Sequence, residues 1–225
     1  METSTIQEAE HNKVLQYITS LMEKFSEMQD GEIEARIGDY NNQKSSVDKT
    51  IFEILMRNVE RGCPNESPWV EFHDYFYQHD TNNVRTRVKF DTNNMRLSSE
   101  STVKQLIGSK TFSSRESDLC MRVKLSREID YEKNAPAFVD PIRVCITRRR
   151  SFVFPDTAHP VWSFDFSKVA SGNNRLEAEE HFTNDHIEHH IECELISVDY
   201  CKKDYEHAGA SMLYKMENLT GCTFK

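Results

Sequence analysis

Charged side chains recur at every second position in several short stretches of this sequence. Glu32, Glu34 and Arg36 alternate with Ile33, Ala35 and Ile37. Glu188, His190, Glu192 and Glu194 stand opposite Ile191, Cys193 and Leu195. Between these two acidic stretches lie basic ones. Arg85, Arg87, Lys89 and Asp91 oppose Val84, Val88 and Phe90, and Arg122, Lys124, Ser126 and Glu128 oppose Val123 and Leu125. Arg143, Cys145, Thr147, Arg149 and Ser151 oppose Val144, Ile146 and Phe152, while Ser163, Asp165 and Ser167 oppose Trp162, Phe164 and Phe166. A period of two is that of a strand with two unlike faces. A merely solvated sheet face has no reason to sort charge by strand. Closing the sheet into a barrel brings acidic and basic faces into one interior. Charges buried there are costly unless they pair or meet a ligand. A triphosphate with a divalent cation satisfies both sets, because carboxylates hold the metal and Arg and Lys hold the phosphates.

The elements that must position these residues follow from the same periodicities. Val14, Ile18, Leu21, Met22 and Phe25 predict an amphipathic helix over 6–28. Ile51, Phe52, Leu55 and Val59 predict a second over 45–61, capped by Ser45 or Ser46 and ended by Gly62. Met212, Leu213 and Met216 predict a third over about 208–219. Strands are expected near 32–38, 69–78, 84–91, 119–128, 143–154, 162–167 and 186–196. Polar stretches such as Asn134-Ala135-Pro136 and Ser171-Gly172-Asn173-Asn174 read as loops. No internal repeat or interdomain linker is visible, so the expectation is a single domain over residues 1–225. Its class is α+β dominated by β: a closed antiparallel β-barrel with a charged interior, flanked by a few helices.

Bulk properties exclude other classes. The net charge of -9 argues against a broad duplex-gripping surface, which must be basic. The six cysteines form no C-x-x-C pair, which speaks against structural zinc and for reduced, intracellular thiols. No apolar core follows Met1, so no signal peptide is expected, and no membrane span either. His186 and His190 share a strand face with Glu192. Residues four apart on a strand lie about 13 Å apart, too far to share a zinc ion. Gly108-Ser109-Lys110-Thr111 lacks the pattern of a phosphate-binding loop and reads as a turn.

The same strands resemble the triphosphate tunnel metalloenzymes, specifically the mRNA-capping RNA 5′-triphosphatases of fungi, protozoa and large DNA viruses. Glu32-Ile33-Glu34-Ala35-Arg36-Ile37-Gly38 resembles the first metal-binding strand of that family. Arg122-Val123-Lys124-Leu125-Ser126-Arg127-Glu128 resembles its basic strand ending in a functional glutamate. Arg149-Arg150-Ser151-Phe152, the stretch from Trp162 to Val169, and Ile191-Glu192-Cys193-Glu194-Leu195 resemble three later strands in family order. The resemblance spans about residues 30–196. It departs from the family where His190 replaces a glutamate, and where Cys145, Thr147 and Ser163 stand at positions that are often basic.

The resemblance implies a metal-dependent phosphohydrolase that removes the γ-phosphate of triphosphate-ended RNA, with NTPs as a further substrate class. It implies that Glu32, Glu34 and Glu194 coordinate Mg2+ or Mn2+, and that Glu128 and Glu192 position or deprotonate the attacking water. It implies that Arg36, Arg87, Lys104, Arg122, Lys124 and Arg149 hold the triphosphate, with Ser151, Asp165 and Ser167 in support. A guanylyltransferase subunit or domain is the implied partner, and the nucleus or a viral replication compartment the implied location. A small-molecule triphosphatase of the same superfamily, acting on thiamine or inorganic triphosphate, and a non-catalytic anion-binding barrel remain as alternatives.

Overall fold

The computed structural model describes residues 2–63, 65–79, 82–90, 96–131, 140–154 and 162–225. Asp91 and the Asn134-Ala135-Pro136 loop lie outside the described residues. The elements run α1 (Glu2–Ser26), β1 (Gly31–Gly38), α2 (Lys49–Gly62), β2 (Asn65–Glu66), β3 (Val70–His79), β4 (Asn82–Phe90), β5 (Arg96–Ser113), β6 (Cys120–Asp130) and β7 (Arg143–Phe154). They continue with β8 (Trp162–Gly172), α3 (Arg175–Thr183), β9 (Glu188–Leu195), α4 (Val198–Lys203) and α5 (Tyr205–Thr220). Eight antiparallel strands pair in the order β7-β3-β4-β5-β6-β1-β9-β8, and β8 pairs back onto β7 to close the barrel. The short β2 adds to β7 from outside the ring. No described helix is long and apolar enough to cross a membrane.

The barrel is inside out relative to an ordinary one. The apolar faces point outward, where helices α1, α2 and α5 cover the strands on one side. Ile33, Ala35 and Ile37 of β1, Val123 and Leu125 of β6, and Ile191 and Cys193 of β9 are all fully buried there. They pack with Ile18, Met22 and Phe25 of α1, Phe52 of α2, and Met212 and Met216 of α5. Burial of this layer is the main stabilising contribution, at roughly 1.5–3 kcal/mol for each large apolar side chain. It also forces the alternate residues of the same strands into the barrel. Burial of the apolar face therefore sets the charged lining.

Several boundaries differ from the sequence reading. Helix α2 is capped by Asp48, whose carboxylate accepts the Thr50 N–H at 2.7 Å, rather than by Ser45 or Ser46. Residues 171–172 extend β8, and Asn174 caps the unexpected helix α3 by accepting from Glu177 N–H. The stretch Gly108–Thr111 lies inside the long strand β5 and is not a turn. The β5–β6 register shifts between Leu106 and Gly108, leaving Ile107 as the extra residue of a bulge. Gly108 permits this because α1 presses onto it: a Cβ there would come 3.1 Å from the Leu21 side chain.

Candidate functional site

The barrel encloses a cavity of about 410 Å³ lined by side chains from all eight ring strands, charged ones from every strand but β8. Glu32, Glu34 and Arg36 enter from β1, Lys124 and Glu128 from β6, and Glu192 and Glu194 from β9. Arg87 enters from β4, Lys104 from β5, Arg149 from β7 and Ser167 from β8. Antiparallel register brings them together. Glu34 stands beside Lys124 on one side and Glu194 on the other, and Arg36 stands beside Glu192.

Two subsets are distinct. In the first, Glu192 is clamped between two guanidinium groups. Arg36 bonds one of its oxygens, and Arg149 Nη2 bonds the other at 3.1 Å. Arg149 also bonds Asp165 at 2.8 Å through Nη1 and Ser167 at 3.0 Å through Nε. Asp165 is fully engaged, because Ser163 donates to its second oxygen at 2.7 Å. Burial alone pushes the Glu192 carboxyl up, but Arg36 and Arg149 outweigh it and bring it down to about 2. A carboxylate so held orients arginines and is a weak proton acceptor.

In the second subset the carboxylates outnumber their cations. Lys104 Nζ lies 2.6 Å from Glu32 and 3.7 Å from Glu34, and Lys124 Nζ lies 3.5 Å from Glu34. Glu194 has no ion-pair partner among the described residues. Burial, then the charges of Glu32 and Asp165, push its carboxyl up to about 8. Burial and the Glu192 charge likewise raise Glu34. Glu128 moves the other way. Its burial is outweighed by Arg85, at 3.0 Å, and by Lys104.

As the side chains stand, no group of three or more His, Cys, Asp or Glu among the described residues is arranged to hold a metal ion. The donor chemistry nevertheless fits a hard cation. Glu32, Glu34 and Glu194 offer only oxygen, their negative charge is undercompensated, and an ammonium already sits among the first two.

Besides Asp165, which is buried and bonded to Arg149, two expected residues do not line the central cavity. Arg122 lines a smaller opening of about 200 Å³ beyond Arg36, with Tyr40, Ser45 and Lys124. Ser151 lies past the cavity on β7, where Ser67 engages its backbone N–H and carbonyl. Asp74 is a site residue that the sequence did not single out, and Arg85, read only as part of a charged strand face, is a second one. Asp74 accepts two 2.8 Å bonds from Arg87, holding that guanidinium in a fixed plane beneath the Phe72 ring. The signal for Asp74 was the register Asp74↔Arg87, which exists only once β3 and β4 are paired. His190 also lines the cavity, bonded to Glu188 at 2.9 Å.

No protein-family model matches the sequence. No curated protein matches it either. Solved structures do match the fold. The S. pombe RNA triphosphatase Pct1 superposes with a TM-score of 0.65 at 13% identity, covering 93% of this chain and 91% of that one. Pct1 in complex with the Spt5 CTD gives 0.67 at 12% identity, with the same coverage. The RNA triphosphatase domain of a trifunctional mimivirus mRNA capping enzyme gives 0.58 at 12% identity, covering 92% of this chain and 95% of that one. The chain has the fold of these triphosphatases.

Proposed function

We propose that this protein is a metal-dependent polynucleotide 5′-triphosphatase, which hydrolyses triphosphate-ended RNA to diphosphate-ended RNA and phosphate as the first step of mRNA capping. The observation that carries the reading is the division of the tunnel wall. Undercompensated carboxylates, Glu32, Glu34 and Glu194, stand at one part of it, and guanidinium groups held rigidly by their own carboxylates line the rest. A purely anion-binding barrel gains nothing from a half-buried Glu194 that has no ion-pair partner among the described residues. The fold shared with the yeast and mimivirus enzymes supports the RNA reading over a small-molecule one.

Phosphoryl transfer depends on positioning and charge stabilisation more than on covalent help. Arg87 and Arg149 are fixed by Asp74, Asp165 and Ser167 before any substrate arrives, so they do not reorganise as charge moves onto phosphate oxygens. Arg36 and Lys124 extend the row of cations along the chain of phosphates. Glu32, Glu34 and Glu194 would hold Mg2+ or Mn2+, which would neutralise charge on the γ-phosphate. Glu128 faces the same space and is placed to orient the attacking water through its carboxylate. A guanylyltransferase, as subunit or domain, is the fitting partner, because it consumes the diphosphate end.

The test is incubation with γ-labelled triphosphate RNA and Mg2+ or Mn2+. Phosphate and diphosphate-ended RNA are the expected products, lost in Glu32→Ala, Glu34→Ala and Glu194→Ala variants that remain folded. Pyrophosphate as the main product, or full activity in any of the three, overturns the reading.

A further inference from the structure

Two further openings share lining residues with the central cavity toward opposite ends of β1, and they differ in charge. One is lined by Asp30, Glu32, Glu128, Asp130 and Glu194, with Ile129 and Gly31 but no basic side chain. The other is lined by Arg36, Arg122 and Lys124 with Tyr40, Ser45 and a single carboxylate, Glu34, which already pairs with Lys124. The cavity shares Glu32, Glu128 and Glu194 with the acidic opening and Glu34, Arg36 and Lys124 with the basic one.

Resting on the triphosphatase reading, we propose that the RNA chain leaves the tunnel through the basic opening, with its first nucleotide against Tyr40 and Arg122. Three features of the opening suit single-stranded RNA. Arg122 has no carboxylate partner among the described residues. Its Nε bonds Thr111 Oγ1 at 3.0 Å, and its guanidinium carbon lies over the Tyr40 ring, 3.8 Å from the centroid. Aromatic rings and guanidinium groups at such an opening receive unpaired bases, and a cation without a carboxylate partner receives their phosphates.

The loop that carries Tyr40 is also rigidly built. Its Asp39 backbone bonds both Lys44 and Ser46, and Gly38 lets the chain close, since a Cβ there would lie 2.8 Å from the Lys44 carbonyl. Tyr40 and Ser45 are thereby fixed over the opening without further ordering. The opposite opening repels a polyanion, so the polarity of the bound RNA is set by charge. The γ-phosphate faces the carboxylate end and the nucleoside faces Tyr40.

Thiol cross-linking tests this directly, because all six native cysteines are buried. Ser45→Cys places a thiol at the basic opening and Ile129→Cys places one at the acidic opening. A triphosphate-ended RNA with a thiol-reactive group on its first base should couple predominantly to Ser45→Cys, and inorganic triphosphate should suppress the coupling. In parallel, Tyr40→Ala should weaken RNA binding, read by fluorescence anisotropy, by about tenfold through lost stacking. Predominant coupling to Ile129→Cys, or equal coupling at both, overturns the proposed polarity. Coupling at neither site, while inorganic triphosphate still binds by calorimetry, overturns it too and leaves the tunnel as a small-molecule phosphohydrolase. Phosphate release from triphosphate RNA, measured separately, decides the function itself.

Discussion

Lys104 Nζ lies 2.6 Å from Glu32 Oε2, with Glu34 at 3.7 Å and Glu128 at 3.8 Å. Its ammonium thus occupies the space between the carboxylates proposed to bind the metal. Burial by itself lowers the Lys104 pKa, but Glu34 and Glu32 outweigh it and raise it, so the side chain stays charged. A divalent cation bound there must displace this charge toward the phosphates. Lys104→Met should therefore tighten Mn2+ binding by several-fold, measured by electron paramagnetic resonance, while slowing hydrolysis about tenfold or more through the lost phosphate contact. Weaker Mn2+ binding in the variant would show that Lys104 supports the ion site and does not compete for it.

Glu194, like Glu34 in the same direction, contributes to the pH dependence of the ion-free protein. Its ordinary value is 4.5 and burial, with Glu32 and Asp165, pushes it up to about 8. A carboxyl raised on folding binds its proton in the native state where the unfolded chain has released it. Its favourable contribution is complete below about pH 4.5 and is lost as pH rises toward 8. Thermal melts in chelator should show Tm falling across this window, with a shallower fall in Glu194→Gln. Equal slopes in the two proteins would remove Glu194 as the cause.

The charged faces were legible in the sequence because burial of their apolar partners dictates them. Ile33, Ala35 and Ile37 announce that Glu32, Glu34 and Arg36 point the other way, whatever the barrel's detail. Strand β5 was not legible. Its residues Ser98, Ser99, Ser101, Thr102 and Ser109 carry no apolar alternation, and the bulge at Ile107 breaks the period in the middle. Asp74 and Tyr40 were missed for a different reason. Each matters through a partner on another strand, Arg87 or Arg122, and only the pairing of the strands brings those partners near.

Gly108 provides a stability test of that bulge. A side chain there meets Leu21 at 3.1 Å, with the Tyr17 hydroxyl at 3.8 Å, so helix α1 must shift outward to admit it. Gly108→Val should cost about 1–3 kcal/mol by overpacking. Gly108→Ala should cost less, because Leu21 can yield by a few tenths of an ångström. Denaturant unfolding of both variants checks the order, and an unchanged midpoint for Val would mean that α1 does not press on the strand.

Strand β7 tests the inside-outside assignment most sharply, because it presents three consecutive arginines. Register with β8 is continuous through all three, and register with β3 through Arg148 and Arg149, so parity holds without a bulge. Arg149 points into the tunnel and bonds Glu192, Asp165 and Ser167. Arg148 points outward, 53% exposed, to Glu71 at 2.7 Å and over the Phe182 ring. Arg150 also points outward, pairing Glu60 of α2 and Glu66 of β2 at 2.7 Å each. Arg149→Ala should lower kcat/KM by at least about tenfold, equivalent to about 1.4 kcal/mol of transition-state stabilisation. Arg148→Ala removes an exposed pair of a kind usually worth less than about 1 kcal/mol, and should leave turnover nearly unchanged. Arg150→Ala should reduce stability more than Arg148→Ala, since its guanidinium is better covered and joins two elements, yet it too should leave kcat/KM within about twofold. Steady-state kinetics and thermal melts of the three variants separate the roles. If Arg148→Ala or Arg150→Ala slows hydrolysis as much as Arg149→Ala does, the phosphate contact belongs to the outer face and the tunnel assignment for this strand falls.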